Sequence, residues 1–166
     1  MNIARLSALA LCASVVLAPL GALRAQEPQQ RANENLNRIA GRINADITAL
    51  NQNGDFYGGH RAAAIGQLQR AHGELNAALQ WAISNGRGTG AVLPGAAMAQ
   101  SSSPGKRNVT ASNASMNAVR NDLQALTGAL NQATGDYGGH RVNAIKAMQN
   151  AIGELTAGLA YQQTHK

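Results

Sequence analysis

Two histidines are the side chains in this chain that are best suited to chemistry. His60 and His140 each lie in the motif Tyr-Gly-Gly-His-Arg, which occurs at residues 57–61 and again at 137–141. Imidazole nitrogens are common ligands of borderline metal ions such as copper, nickel and zinc. The repeated motif therefore suggests a metal site that both histidines share, provided that the fold brings the two copies together.

Acidic, basic and aromatic residues surround each histidine. The candidate ligand-binding residues are Asp55, Tyr57, His60 and Arg61 in the first copy and Asp136, Tyr137, His140 and Arg141 in the second. The two aspartates could complete a metal site, or the two arginines and adjoining helix N-termini could hold a small anion. The third hypothesis is structural: each histidine caps its own helix and bonds the local aspartate or a backbone carbonyl.

Patterns typical of enzymes and of nucleic-acid-binding proteins are missing from the sequence. It contains no phosphate loop, dinucleotide fingerprint or His-Glu-x-x-His motif, and no Ser-His-Asp spacing that would suggest a catalytic triad. The net charge is +6, yet the basic residues are spread thinly and form no stripe interleaved with aromatic residues. We therefore predict a non-enzymatic protein that does not bind nucleic acid.

An internal duplication dominates the sequence. Residues 33–81 align without a gap on residues 113–161, at an offset of 80 residues. Apolar residues recur every three or four positions, which predicts one buried stripe on each of four helices. The stripes of the first copy are Leu36, Ile39, Ile43, Ile47 and Leu50, then Ile65, Leu68, His72, Leu75 and Leu79. Those of the second are Met116, Val119, Leu123, Leu126 and Leu130, then Ile145, Met148, Ile152, Leu155 and Leu159.

Each copy is therefore predicted to be a helical hairpin. Asn53-Gly54 and Asn85-Gly86 indicate helix ends, and we expect Gly54 and Gly135 to adopt a positive φ. One hairpin cannot bury both of its stripes, whereas two hairpins together can, so the fold class is all-α, a four-helix bundle. The predicted units are a signal peptide (1–25), a flexible leader (26–32), hairpin repeat 1 (33–83), a long flexible linker (84–112) and hairpin repeat 2 (113–162).

The N-terminal residues resemble a targeting segment. Arg5 precedes a mostly apolar run from Leu6 to Leu20, and small residues follow up to Ala25. This pattern predicts a signal peptide and a periplasmic or secreted protein, with no membrane insertion after cleavage. The run is too short to span a bilayer, which needs about 20 residues. The only cysteine, Cys12, lies in this segment, so the mature chain would have no disulfide.

Three polar residues interrupt the helical patterns. Asp46 stands where the second copy has Leu126, and we expect it at the edge of the core in contact with solvent. His72 occupies a stripe position, where a hydrogen-bonded core histidine is the simplest interpretation. Glu74 lies four residues after Arg70, a spacing at which opposite charges on a helix pair weakly.

The topology decides whether the two motifs can act together. In an up-down-up-down bundle, the two hairpin loops lie at the same end, and the second and fourth helices are diagonal. The His60 and His140 side chains would then share one end of the bundle. The long linker leaves other arrangements open, including insertion of the second hairpin in the opposite direction or into another chain as a homodimer.

The motif resembles a known pattern. Tyr-Gly-Gly-His-Arg, followed by Ala64-Ile65, Leu68, Ala71 and Glu74-Leu75, is similar to a helical-hairpin repeat of small exported bacterial proteins, most of them uncharacterised. The second copy matches it at Ala144-Ile145, Met148, Ala151 and Glu154-Leu155. A looser likeness links it to small periplasmic metal-binding helical proteins. The resemblance implies an exported helical protein and carries no activity; the ligand and the partners stay unknown.

Overall fold

Four helices form the fold. The computed structural model describes residues 20–87, 108–135 and 137–165. The helices are α1 (Leu20–Asn51), α2 (His60–Ser84), α3 (Val109–Gln132) and α4 (His140–Thr164). They pack against one another around a single core, which confirms the predicted all-α four-helix bundle.

The buried stripes are those that the periodicity predicts. Leu36, Ile43 and Leu50 of α1 are fully buried, and the stripes of the other helices are buried in the same way, with Ile152 partly exposed. A single apolar face on a long helix gains free energy only when another helix covers it. The four stripes together therefore produce one continuous core.

The order of the helices around the bundle differs from the predicted one. The helix α2 packs along α4, α1 packs on α2, α3 packs on α4, and α1 meets α3. The helices α2 and α4 are thus neighbours, and the prediction that they are diagonal is wrong. Small residues repeat every seventh position on both facing surfaces, which lets the two backbones approach closely. These residues are Ala64, Ala71 and Ala78 on α2, and Ala144, Ala151 and Gly158 on α4.

The two hairpins run in opposite directions. His60, at the start of α2, reaches Glu154 in the later part of α4, whereas His140, at the start of α4, reaches Glu74 of α2. The helices α2 and α4 are therefore antiparallel, and a pseudo-two-fold axis perpendicular to the bundle relates the hairpins. The two Gly-Gly-His-Arg motifs consequently lie at opposite ends, which corrects the expectation of a shared end.

The connection between the hairpins explains how this arrangement is possible. The chain leaves α2 at one end of the bundle, where the Asn33 side chain donates to the carbonyl of Arg87. It enters α3 at the other end, where the Gly54 amide donates to Ser112 Oγ. The connection must therefore cover about 36 Å, the length of α2 at 1.5 Å per residue. Of the predicted linker, 84–112, residue 84 and residues 109–112 are helical, and residues 88–107 lie outside the described part.

The helix ends differ in how they are capped. Gly86 has φ 66°, and the amides of Gly86 and Arg87 return to the carbonyls of Ile83 and Ala82, so α2 ends in a Schellman motif. The prediction for Gly54 is wrong, because this glycine lies outside the positive-φ region. Gly135 does have a positive φ, but α3 ends three residues earlier, at Gln132.

The start of α1 also differs from the prediction. Residues 26–32, expected as a flexible leader, are helical, as are residues 20–25 of the predicted signal peptide. Gln29 donates to Tyr137 Oη at 3.3 Å, so polar contacts with the other hairpin help to hold this turn in place. Apolar periodicity cannot reveal such contacts. Residues 1–19 of the predicted signal peptide lie outside the described residues.

Candidate functional site

The two glycines of each motif make a tight turn. Gly58 and Gly59 have φ values of 57° and 86°, and Gly138 and Gly139 have 61° and 82°. In each copy the histidine amide donates to the tyrosine carbonyl, at 3.0 Å and 3.1 Å. Positive φ at both central positions fits a type I′ turn, which favours glycine strongly.

The first glycine of each turn also lies against an aromatic ring of the other hairpin. A Cβ atom added to Gly138 would stand 2.7 Å from Trp81, and one added to Gly58 would stand 2.9 Å from Tyr161. Trp81 and Tyr161 are equivalent residues of the duplication. The rings that end the predicted stripes therefore cover the loop of the partner hairpin.

Each histidine bonds a glutamate of the other hairpin. His60 Nδ1 lies 2.7 Å from Glu154 Oε2, and His140 Nδ1 lies 2.8 Å from Glu74 Oε2. An ionised carboxylate only accepts, so Nδ1 is the donor in both pairs. Each glutamate also places negative charge at the N-terminus of the facing helix, where the helix dipole favours it. Sequence spacing suggested Arg70 as the partner of Glu74, whereas the structure gives it His140.

The arginines of the motifs face away from any shared site. Arg61 is 7% exposed, and its Nη1 donates to the carbonyl of Leu50 at 3.3 Å. Arg141 Nη1 donates to the carbonyls of Leu130 and Ala133, at 3.0 Å and 2.8 Å. Each guanidinium thus satisfies carbonyls at the end of the preceding helix, where a cation is also favoured by the helix dipole. The hypothesis of anion binding therefore loses the two arginines on which it depends.

Replacement of Arg141 with methionine tests this capping role. Methionine keeps most of the apolar stem and removes the donors, so we expect a loss of about 2 kcal/mol in the free energy of unfolding. Urea denaturation followed by far-ultraviolet circular dichroism measures it. Lys146→Met, which removes an exposed charge from the same helix, should change stability by less than about 0.5 kcal/mol. Equal effects of the two substitutions would contradict the capping role.

Each tyrosine of the motif links the two hairpins at its own end of the bundle. Tyr57 Oη donates to Asn113 Oδ1 at 2.9 Å, and Asn113 Nδ2 donates in turn to Gln162 Oε1 at 3.0 Å. At the opposite end, Tyr137 Oη donates to Asn33 Oδ1 at 3.3 Å. Burial raises the pKa of both phenols, so they stay protonated and keep donating. Asn33 itself is buried within α1.

The structure does not bring the two histidines together. His140 bonds Glu74, which lies 14 residues beyond His60 on the same helix. At 1.5 Å per residue this separates the two motifs by about 20 Å, far beyond the roughly 4 Å that two ligands of one ion allow. Asp55 lies 4.0 Å from Arg61, and the side chain of Asp136 lies outside the described residues. Within the described part of the chain, no cluster of three or more His, Cys, Asp or Glu side chains is placed to hold a metal ion.

Two buried titratable groups lie away from the loops. His72 is 7% exposed, and its Nδ1 accepts from Asn76 Nδ2 at 3.3 Å. Burial lowers its pKa, so it is a neutral core histidine, as the interpretation of its stripe position proposed. Asp46 is 9% exposed, and burial raises its pKa to about 7 against the opposing effect of Arg42. The expectation that Asp46 lies at the solvent edge is therefore wrong.

An open cleft lies beside the first motif. It has a volume of about 460 Å³ and is lined by Asp55, Phe56, Gly58, Gly59, Val109, Tyr161, Gln162 and His165; we call it the loop-1 cleft. The Tyr161 and His165 rings are stacked at 3.9 Å, and the His60 ring meets Tyr161 edge-on. Asp55 is the only residue of this lining among the predicted site residues. Tyr161, Gln162 and His165 could not be predicted from the motif, because they come from the far end of α4.

The opposite end of the bundle is covered differently. There the Arg87 guanidinium lies 5.3 Å from the centre of the Trp81 ring, within the range of a cation–π contact. Phe56 has no aromatic counterpart in the second copy, because Asp136 occupies the equivalent position before the motif's tyrosine. The two ends are therefore alike in their turn and histidine pair but differ in their exposed aromatic rings.

Comparisons with known proteins do not place the chain in a family. A scan against protein-family models, a search of curated proteins and a search of solved structures each found no match. The resemblance to exported helical-hairpin proteins therefore stays a prediction. No helix in the described ranges is long and apolar enough to cross a membrane.

Proposed function

We propose that this is an exported, non-enzymatic helical-bundle protein that binds a ligand or partner through the loop-1 cleft. Export rests on the charged start, the apolar run and the small residues within residues 1–25. The binding role rests on the geometry of the cleft. The proposed ligand carries a flat apolar group that fits between the exposed aromatic rings.

The observation that carries this proposal is the combination of size and lining in the loop-1 cleft. Its volume of about 460 Å³ falls within the usual range of ligand sites, about 300–1,000 Å³. Phe56 and Tyr161 are 40% and 37% exposed, which is high for large aromatic side chains. Exposed aromatic rings beside polar groups are typical of binding surfaces.

The polar side chains of the motif are already hydrogen-bonded within the protein, which supports binding over catalysis. His60 bonds Glu154, Arg61 bonds a backbone carbonyl, and Tyr57 bonds Asn113. A general acid or base must instead reach the proton that it transfers. These groups hold the cleft in shape, while the rings, the Asp55 carboxylate and the two glycine backbones face its space.

A nuclear magnetic resonance titration tests the site. Indole, benzamidine and benzoate are added separately to ¹⁵N-labelled protein, because they share a flat ring and differ in charge. We expect the ring to shift the amide signals of Gly58, Gly59 and His165. Benzamidine should bind more tightly than benzoate, since Asp55 and the faces of the aromatic rings attract positive charge.

Two variants make this titration specific. Tyr161→Ala removes one wall of the cleft and should weaken the binding of indole at least about fivefold, a loss of about 1 kcal/mol. Val142→Ala is the matched control, because Val142 is an exposed apolar residue of α4 near the other end of the bundle. Shifts scattered over the surface, or equal binding by the two variants, would contradict the proposed site.

A further inference from the structure

The interface between the hairpins is nearly symmetric, because its contacts occur twice with equivalent residues. The histidine–glutamate pair joins 60 to 154 and 140 to 74. The tyrosine–asparagine bond joins 57 to 113 and 137 to 33. The glycine–ring contact joins 58 to 161 and 138 to 81.

Each hairpin therefore carries both halves of these contacts. The first hairpin holds His60 together with Glu74, and Gly58 together with Trp81. Its docking face is self-complementary in these respects, as in the isologous interface of a two-fold dimer. These contacts alone would allow a hairpin to pair with another copy of itself as readily as with the other hairpin.

One contact breaks this equivalence. Arg42 and Asp122 occupy equivalent positions of the duplication and form an ion pair with each other, so they lie at the pseudo-two-fold axis. If two first hairpins paired, Arg42 would face a second Arg42; if two second hairpins paired, Asp122 would face a second Asp122. Like charges in direct contact oppose association, and this is how specificity between similar interfaces is commonly obtained.

We infer that hairpin 1 also binds hairpin 2 of a second copy of this chain, giving a hairpin-exchanged dimer in which the Arg42–Asp122 pair selects unlike hairpins. Such a dimer contains two complete bundles with the same contacts as the monomer. The connection between the hairpins sets the balance. Because one connection joins the two hairpins of a chain, it holds them at an effective concentration near the millimolar range, which favours the closed monomer.

Shortening the connection tests exchange. Deletion of residues 91–104 leaves six residues between Arg87 and Asn108, which extend to about 25 Å and cannot cover the required 36 Å or so. We expect this variant to double in mass by light scattering at micromolar concentration and to keep the helical content of the parent. A monomer with the parent's thermal transition, or a polydisperse aggregate, would overturn the exchange.

A charge swap tests the pairing rule. In the shortened chain, Arg42→Asp puts acids at both axis positions, and Asp122→Arg puts bases there. Each variant alone should melt below the shortened parent, while an equimolar mixture should form a mixed dimer whose melting temperature recovers. Native mass spectrometry resolves the mixed species if one variant is isotope-labelled. If homodimers and heterodimers form in statistical proportions and the melting temperature of the mixture does not recover, the pair does not select unlike hairpins.

The same substitutions in the uncut, full-length chain keep the inference falsifiable if the shortened protein fails to fold. Arg42→Asp and Asp122→Arg should each lower the melting temperature, and the double variant should restore it. Arg38→Asp is the matched control, because Arg38 bonds Asn35 of its own helix one turn earlier. A double variant no more stable than the single variants would show that the pair does not guide pairing.

Discussion

Replacement of Gly138 with alanine should lower the free energy of unfolding by about 3 kcal/mol. The residue has φ 61°, and a left-handed conformation disfavours any residue with a Cβ atom by about 1–2 kcal/mol. The new Cβ would also stand 2.7 Å from the Trp81 ring, and overpacking of this kind adds about 1–3 kcal/mol. Both effects also act at Gly58, but the approach there is 2.9 Å, so the closer contact at Gly138 should make this substitution the more damaging of the two.

Gly139→Ala separates the two contributions. Gly139 has φ 82° but open space around its Cα hydrogens. Alanine there should therefore lower the free energy of unfolding only by the cost of the left-handed backbone, about 1–2 kcal/mol. Urea unfolding curves followed by circular dichroism give both values. Trp81 is the only tryptophan of the chain, and its fluorescence reports directly on the packing against Gly138.

Removal of the ring provides a second control. In a Trp81→Ala background the collision is gone, and Gly138→Ala should then cost no more than Gly139→Ala does in the parent. This double-mutant cycle isolates the coupling between the loop of one hairpin and the ring of the other. An unchanged cost of Gly138→Ala in that background would mean that the turn alone, rather than its contact with the other hairpin, requires glycine.

The local structure of this protein follows from its sequence, because the determining interactions are close along the chain. The spacing of Leu36, Ile39 and Ile43 predicts a buried helical face, and the structure buries all three. Asn85-Gly86 predicts a helix end, and a Schellman motif is found there. The duplication likewise predicts two similar hairpins and hence a four-helix bundle.

The relative direction of the hairpins could not be obtained in this way. A self-complementary docking face and a connection of about 20 residues are compatible with both directions, since neither the stripes nor the loop contents change. The sequence feature that bears on the question is the pair of equivalent positions 42 and 122, which carry opposite charges. Opposite charges at equivalent positions are expected where a pseudo-two-fold axis places them face to face.

The candidate site was only partly predictable, because the sequence does not show which distant residues the hairpin packing brings to each loop. The residues of the motif do converge on each loop, as expected for neighbours in sequence. Their partners do not: Glu154 is 94 residues from His60, and Asn113 is 56 residues from Tyr57. The metal hypothesis depended on a shared end of the bundle. The antiparallel arrangement gives each histidine a glutamate instead.

Asp46 is the residue at which the largest gain in stability should be found. It occupies the place of Leu126, and its Oδ2 atom is buried without a hydrogen-bond partner among the described residues. Asp46→Leu should stabilise the protein by about 2 kcal/mol at pH 8. A pKa raised from 3.8 to about 7 corresponds to at most roughly 4 kcal/mol, and we expect about half, because solvent near the carboxylate screens its charge.

The pH dependence identifies the cause of this gain. The folded state holds the Asp46 proton up to about pH 7, whereas the unfolded chain releases it near pH 3.8. Between these values the folded state binds more protons, so the contribution of Asp46 to stability falls as the pH rises and then levels off above pH 7. The Asp46→Asn variant should therefore gain on the parent from pH 4 to pH 7 and keep a constant advantage above it.

The difference between variant and parent is the quantity to measure, since the other titrating groups contribute equally to both and cancel. If the Asp46→Asn difference is flat across the pH range, the pKa of Asp46 is the same in the folded and the unfolded chain. A partner would then offset the cost of burying the carboxylate, with the charge of Arg42 shared between Asp46 and Asp122 across the pseudo-two-fold axis.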